Sequence, residues 1–150
     1  MAWHVSTLLR SALLWLVLGA SLGVAMAVHP AWVAYRPAHL HMMLLGFVTM
    51  MIAGVGYHVI PRFASTPLHS TRMANAHVWL ANAGLALMAT GFVLRVHAYQ
   101  VGTWSLVLGG TLSAAGSYLF AWNLWCTLDA VVNPAELMAR ARVPIVSRSR

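Results

Sequence analysis

The apolar run of residues 37–63, PAHLHMMLLGFVTMMIAGVGYHVIPRF, constrains the fold of this chain more than any other part of its sequence. It exceeds the ~20 residues that a helix needs to cross the hydrocarbon of a bilayer. It nevertheless carries His39 and His41 near its beginning and His58 near its end. An imidazole without a partner is costly to bury in hydrocarbon, so these histidines need hydrogen bonds or a bound ligand.

The composition of the whole chain indicates an integral membrane protein whose main surroundings are the lipid bilayer. Its 150 residues are 61% hydrophobic and only 7% charged, whereas a soluble domain has roughly 25% charged residues. The formal charge of +7 comes from nine arginines, with no lysine, that flank the apolar runs. Membrane topology explains such a pattern, so we expect no nucleic-acid partner.

Four apolar runs predict an all-α fold, a four-helix bundle formed by a single transmembrane domain over residues 1–150. The predicted spans are residues 8–28, 38–60, 74–96 and 104–127. Pro61 is expected to end the second span. The first run also has the composition of a signal peptide, but we interpret it as a retained helix, in which Gly19 and Gly23 allow close helix approach. A basic tail, residues 133–150, follows the fourth span.

The arginines predict the orientation of the bundle. Four helices place both termini on one side, together with Arg10, Arg62, Arg72, Arg140, Arg142, Arg148 and Arg150. Only Arg36 and Arg95 lie opposite, so both termini and the basic tail are expected in the cytoplasm. The outer level then holds His29, His39, His41 and His97, and the inner level holds His4, His58, His69 and His77.

The outer pair His39 and His41 is the candidate for binding haem. Residues two apart on a helix point about 200° from one another, so the pair cannot hold the same face of one haem. Either one ring is a ligand and the other forms hydrogen bonds, or each serves a different interface in a ring of identical subunits. In such a ring, His39 of one subunit and His41 of its neighbour hold one haem. The alternative within one chain pairs either of them with His97.

Further residues at this level complete the predicted site. Arg36 and Arg95 could pair with haem propionates or simply extend to the lipid headgroups. Met43 and Gly46 could lie beside a porphyrin, although helix packing alone would explain both. Packing also explains the other methionines better than copper(I) binding does.

At the inner level, a facing pair of His58 and His77 could hold a second haem or a metal, or bond to backbone and water.

The run 38–61, AHLHMMLLGFVTMMIAGVGYHVIP, resembles the tenth transmembrane helix of haem–copper oxidase subunit I. That helix has an AHFHYVL-type H-x-H, then small residues and an HWFP-type ending. The resemblance aligns His39 with the high-spin haem ligand, His41 with the low-spin ligand and His58 with the histidine before the proline. The run is also similar to the second helix of subunit I, and that alignment places the low-spin ligand on His39. Because subunit I has three pseudo-symmetric groups of four helices, the resemblance implies a homotrimer with haem b between His39 and a neighbour's His41.

The sequence also departs from that family's pattern. It has neither the H-P-E-V-type helix with its tyrosine nor the His-His pair of a copper centre, so copper is not expected. The only acids are Asp129 and Glu136, at or beyond the end of the fourth span. Proton pumps need buried carboxylates along a path, so neither pumping nor oxidase activity by this chain alone is expected.

Two functions remain for a multi-pass protein of a bacterial-type inner membrane. The first is a bis-histidine cytochrome b that transfers electrons between unidentified partners or senses redox state or a gas. Its haem would be non-covalent, because the chain lacks C-x-x-C-H and has Cys126 as its one cysteine. The alternative is a cofactor-free scaffold, transport subunit or haem/copper assembly factor. The clustering of His39, His41 and His97 favours the first.

Overall fold

The computed structural model describes residues 1–132, and these fold entirely as helices and short connections. The elements are α1 (Trp3–Val28), a 3₁₀ helix (Pro30–Tyr35), α2 (Arg36–His41), a π-helical segment (Met42–Thr49), α3 (Met50–Phe63), α4 (Thr71–His97) and α5 (Tyr99–Val132). The all-α prediction is confirmed. The predicted basic tail, 133–150, lies outside the described residues.

Within residues 1–132, three helical stretches are long and apolar enough to cross a membrane: Trp3–Val28, Pro30–Phe63 and Thr71–His97. They contain the first three predicted spans. The fourth predicted span, 104–127, lies within α5. Its crossing of the bilayer remains a prediction, as does the cytoplasmic location of the termini.

The second span differs from its prediction in two places. Its middle, Met42–Thr49, is π-helical, and Thr49 Oγ1 donates a 2.8 Å hydrogen bond to the Leu44 carbonyl five residues back. The helix also continues through Pro61 to Phe63. The proline lies in the last turn, where it removes only one backbone donor, and its own carbonyl accepts a 3.0 Å bond from Thr66 N–H.

Helices α4 and α5 pack backbone against backbone through glycines. A Cβ atom on Gly109 would lie 2.7 Å from the Gly84 carbonyl oxygen and from Met88 N. A Cβ atom on Gly84 would lie 2.7 Å from Ser113 N. Lipid tails are as apolar as side chains, so helices in a bilayer associate through such close packing rather than through a hydrophobic driving force.

Helix α1 packs against the π-helical segment and α3. Gly46 is buried here, with its α-carbon hydrogens facing Trp15 of α1 and Leu85 of α4. Trp15 Nε1 donates a 3.3 Å hydrogen bond to Asn82 Oδ1, which gives this polar atom a partner across the bundle. The π-helical segment is therefore held between α1 and α4.

The connection between α3 and α4 is fixed by two buried polar residues of α5. Asn123 Oδ1 accepts from Ser70 N–H at 2.9 Å, and Asn123 Nδ2 donates to the Ser70 carbonyl at 2.8 Å. Thr127 Oγ1 accepts from His69 N–H at 3.0 Å. Both α5 side chains are 0% exposed. These bonds satisfy backbone groups that would be costly to leave unpaired in an apolar bundle.

Two adjacent glycines of α5 give a matched test of this packing. Gly109→Ala should destabilise the protein by about 1–3 kcal/mol, because its methyl group meets backbone atoms of α4 that cannot rotate away. Gly110→Ala is the control: nothing lies within 4 Å of its Cβ, so stability should stay equal or rise by up to ~1 kcal/mol. The midpoint of thermal denaturation in detergent measures both. Equal midpoints would show that the close glycine contact does not stabilise the bundle.

Candidate functional site

Two groups of histidines lie at opposite ends of α1 and α4. We name the group formed by His39, His41 and His97 the His39 end. The second group, His4 and His77 with Tyr57 between them, is the His77 end. Because α4 begins at Thr71 and ends at His97, its length separates the two groups.

His39 lies half-buried against α1, where two glycines make room for its ring. Its Nδ1 is 2.8 Å from the Gly19 carbonyl oxygen, and a Cβ on Gly23 would lie 2.9 Å from its Cε1 atom. A carbonyl can only accept, so Nδ1 carries the proton of the neutral ring and Nε2 keeps its lone pair. The small residues predicted to allow close helix approach are therefore used for His39.

His41 has the same arrangement on the other side of the helix. Its Nδ1 is 2.8 Å from the Pro37 carbonyl of the preceding turn, and its ring centroid lies 4.7 Å from that of Phe92 in α4. Within residues 1–132, neither His39 nor His41 uses Nε2 in a hydrogen bond. One ring contacts α1 and the other contacts α4, so a single chain does not bring the two lone pairs together.

His97 and Arg95 have partners of their own at the end of α4. Tyr35 OH lies 2.9 Å from His97 Nε2, which ties the 3₁₀ helix to α4. Arg95 lies 5.0 Å over the ring of Tyr99 and donates to its hydroxyl at 3.3 Å. Arg36 is exposed one residue after Tyr35. The two arginines and His97 are thus at the His39 end, as predicted, but His97 Nε2 is already engaged.

Met43 and Gly46 face neighbouring helices of their own chain. Met43 Sδ lies 2.8 Å from where a Cβ on Gly19 would be. Gly46 is buried against Trp15 and Leu85. Both positions correspond to the packing role that the sequence left open, and contact with a cofactor remains a prediction for them.

An apolar groove of about 390 Å³ lies beside the π-helical segment. Its lining residues are Trp15, Met42, Ala86, Ala89, Thr90, Val93 and Leu94. Five of them belong to one face of α4, next to the Phe92 that contacts His41. Sequence reasoning missed this groove because its walls come from three separate elements, although the i, i+3, i+4 spacing of the α4 residues is visible in the sequence.

The sequence left two roles open for His58 and His77, a facing pair that holds a haem or metal, or separate bonds to backbone and water. Within residues 1–132, His58 has Arg62 rather than His77 as its side-chain partner. Arg62 Nη1 lies 2.6 Å from His58 Nδ1 and donates to the His58 carbonyl on the same helix. Tyr57 takes the inward position instead, with its ring 5.8 Å from His77 and 5.5 Å from His4. Within residues 1–132, no group of three His, Cys, Asp or Glu side chains is placed to hold a metal ion.

Comparisons with known proteins identify the family of the chain. The family model described as "Cytochrome C and Quinol oxidase polypeptide I" matches residues 5–147. The Cbb3-type cytochrome c oxidase subunit CcoN1 of Stutzerimonas stutzeri is 29% identical over 130 residues, covering 70% of this chain and 27% of its own length. Cytochrome c oxidase subunit 1 of Rhodobacter capsulatus is 27% identical over 124 residues, covering 66% of this chain and 23% of its own length.

The chain thus spans about a quarter of the length of these curated relatives. No solved structure matches it significantly. The family match covers nearly the whole sequence, including the H-x-H run and all the helices of the described residues. This confirms the resemblance to haem–copper oxidase subunit I: the chain belongs to the cytochrome c and quinol oxidase polypeptide I family.

Proposed function

We propose that this chain forms a haem b-binding membrane cytochrome in which His39 and His41 are the axial ligands. The observation that carries the proposal is the matched anchoring of the two rings, each with Nδ1 at 2.8 Å from a main-chain carbonyl. Histidines that bind metals usually donate their second ring N–H to a carbonyl or carboxylate, which fixes the tautomer and the ring orientation. Both Nε2 lone pairs are then available to iron.

The two ligands come from neighbouring subunits. The His39 ring contacts α1 and the His41 ring contacts α4, so the two rings of one chain face different sides of the helix. A cyclic assembly repeats one heterologous contact around its axis and closes it. We infer a homotrimer, because three copies of four helices equal the twelve helices of the family member that the H-x-H run resembles.

Other residues of the His39 end suit the rest of a haem. Arg36 and Arg95 are exposed there and provide guanidinium groups for the propionates. The groove lined by Met42 and one face of α4 offers an apolar wall next to Phe92, the residue that contacts His41. A haem b held by His39 and His41 would supply one-electron transfer, since two histidine ligands would leave the iron no site for a substrate. The electron donor and acceptor would be other components of a bacterial inner membrane.

The proposal includes no copper centre and no proton pumping. Asp129 is exposed near the end of α5, and the remaining acid, Glu136, lies in the tail. The exposed Asp129 therefore provides no carboxylate inside the bundle. The role left for this chain is to hold two imidazoles and the propionates in fixed positions, and to keep water away from them.

Alanine substitutions of the ligands should abolish haem binding. His39→Ala and His41→Ala are each expected to lose the b-type α and Soret bands in reduced-minus-oxidised spectra of purified protein, because each removes one axial imidazole. His97→Ala should keep full haem content, since Tyr35 already engages that ring. His29→Ala, an exposed histidine at the same end, is the control. Carbon monoxide should leave the wild-type spectrum unchanged.

Two other results would contradict the proposal. Loss of haem in His97→Ala with retention in His41→Ala would move the second ligand to His97 of the same chain. A wild-type protein without haem bands would instead favour the cofactor-free scaffold, transport subunit or assembly factor.

Mixed assemblies test the location of the haem between subunits. When His39→Ala and His41→Ala chains are co-expressed with different tags, a mixed trimer contains one interface with both ligands intact. Tandem purification should therefore recover one haem for each mixed trimer, against three for the wild type and none for either variant alone. Mixed assemblies without haem would exclude the intersubunit arrangement, as would a wild-type monomer that binds haem stoichiometrically.

A further inference from the structure

A small polar cavity lies between the π-helical segment, α4 and α5, on the side of the His77 end and away from the residues proposed to bind haem. Its volume is about 20 Å³, and its lining includes His77 of α4, Thr49 of the π-helical segment, and Ser113 and Ser117 of α5. Four polar side chains from three elements thus surround a space that would hold one small molecule.

His77, one of the lining residues, has a buried nitrogen without a protein partner. The side chain is 3% exposed, and its Nδ1 has no hydrogen-bond partner within residues 1–132. The ring is held by Tyr57 at 5.8 Å and by Phe120 at 5.4 Å, while its Cδ2 edge packs against Gly116. None of these contacts satisfies Nδ1, and an unsatisfied nitrogen in an apolar bundle is costly.

Each of the three hydroxyl groups already donates a hydrogen bond within the protein. Thr49 Oγ1 donates to the Leu44 carbonyl at 2.8 Å, and Ser117 Oγ donates to the Ser113 carbonyl at 3.0 Å. Ser113 Oγ donates to Met88 Sδ at 3.6 Å. A hydroxyl oxygen that donates can still accept, so each of the three residues can still offer an acceptor oxygen to a molecule in the cavity.

We propose that this cavity binds a single water molecule that accepts a hydrogen bond from His77 Nδ1–H and donates to two of the three hydroxyl oxygens. The size fits, because one water needs at least roughly 10–15 Å³ and two to four polar partners. The pattern fits as well, because water has two protons for the hydroxyl oxygens and a lone pair for the imidazole N–H. No acidic side chain lines this cavity, which disfavours a cation.

The bound water would join three elements at one point. Thr49 is the last residue of the π-helical segment, His77 lies in the second turn of α4, and the two serines are one turn apart on α5. The water would therefore fix the transition from π-helix to α-helix against both neighbouring helices. It would also hold His77 as the Nδ1–H tautomer, with a mobile proton donor next to it inside the bilayer.

Solid-state NMR of the full chain in lipid vesicles, with ¹⁵N-labelled histidine, tests this inference. We expect a protonated Nδ1 for His77 and a cross-peak between its proton and a water resonance. His77→Phe should remove that cross-peak. Ser117→Ala should shift the Nδ1 resonance and weaken the cross-peak, because it removes one acceptor of the water. Ser105→Ala is the control, since Ser105 Oγ donates directly to the Leu87 carbonyl at 2.7 Å.

Two results would overturn the inference: a His77 ring protonated only at Nε2, or a protonated Nδ1 without water contact. If His77→Phe does not fold, the shift in Ser117→Ala assigns the resonance, and no shift in that variant counts against the site. The measurement needs no haem and no oligomer, so its failure would leave the proposed function untouched.

Discussion

The need to give every buried imidazole a partner inside an apolar bundle shapes this structure. At the His39 end the partners are main-chain carbonyls, which fix Nδ1 of His39 and His41 and leave both Nε2 atoms unused within the described residues. At the His77 end the partners are aromatic rings, which pack well but accept no conventional hydrogen bond from Nδ1. The His39 end therefore has two rings oriented by main-chain carbonyls, and the His77 end has a ring with an unpaired Nδ1, within residues 1–132, that lines a small polar cavity.

Glycines make both arrangements possible by bringing backbones close together. Gly19 and Gly23 allow His39 to lie against α1, so that a carbonyl of one helix can orient an imidazole of another. On α5, Gly116 accommodates the Cδ2 edge of His77, and Gly109 packs on the backbone of α4. A side chain at any of these positions would separate helices whose association in lipid depends on close contact.

The sequence predicted the helical class, the first three spans and the family, because long apolar runs and an H-x-H at the start of a span are strong local signals. It also placed His39, His41, His97, Arg36 and Arg95 at one end. It could not show that Tyr35 engages His97, or that Trp15 of α1 covers Gly46, because such contacts join residues far apart in the chain. The groove beside Met42 was not predicted either, because its walls also come from residues far apart in the chain.

The π-helical segment determines which residues of the second span face the bundle. A regular α-helix advances by 100° for each residue. Residues 42–49 close wider i→i+5 turns, so each advances by a smaller angle and every position after Thr49 is rotated relative to the regular helix. Tyr57 therefore faces the interior and His58 turns to Arg62 on the surface. Since π-helical turns often occur at functional sites, a segment that links the H-x-H pair to the polar cavity is well placed to set the position of both.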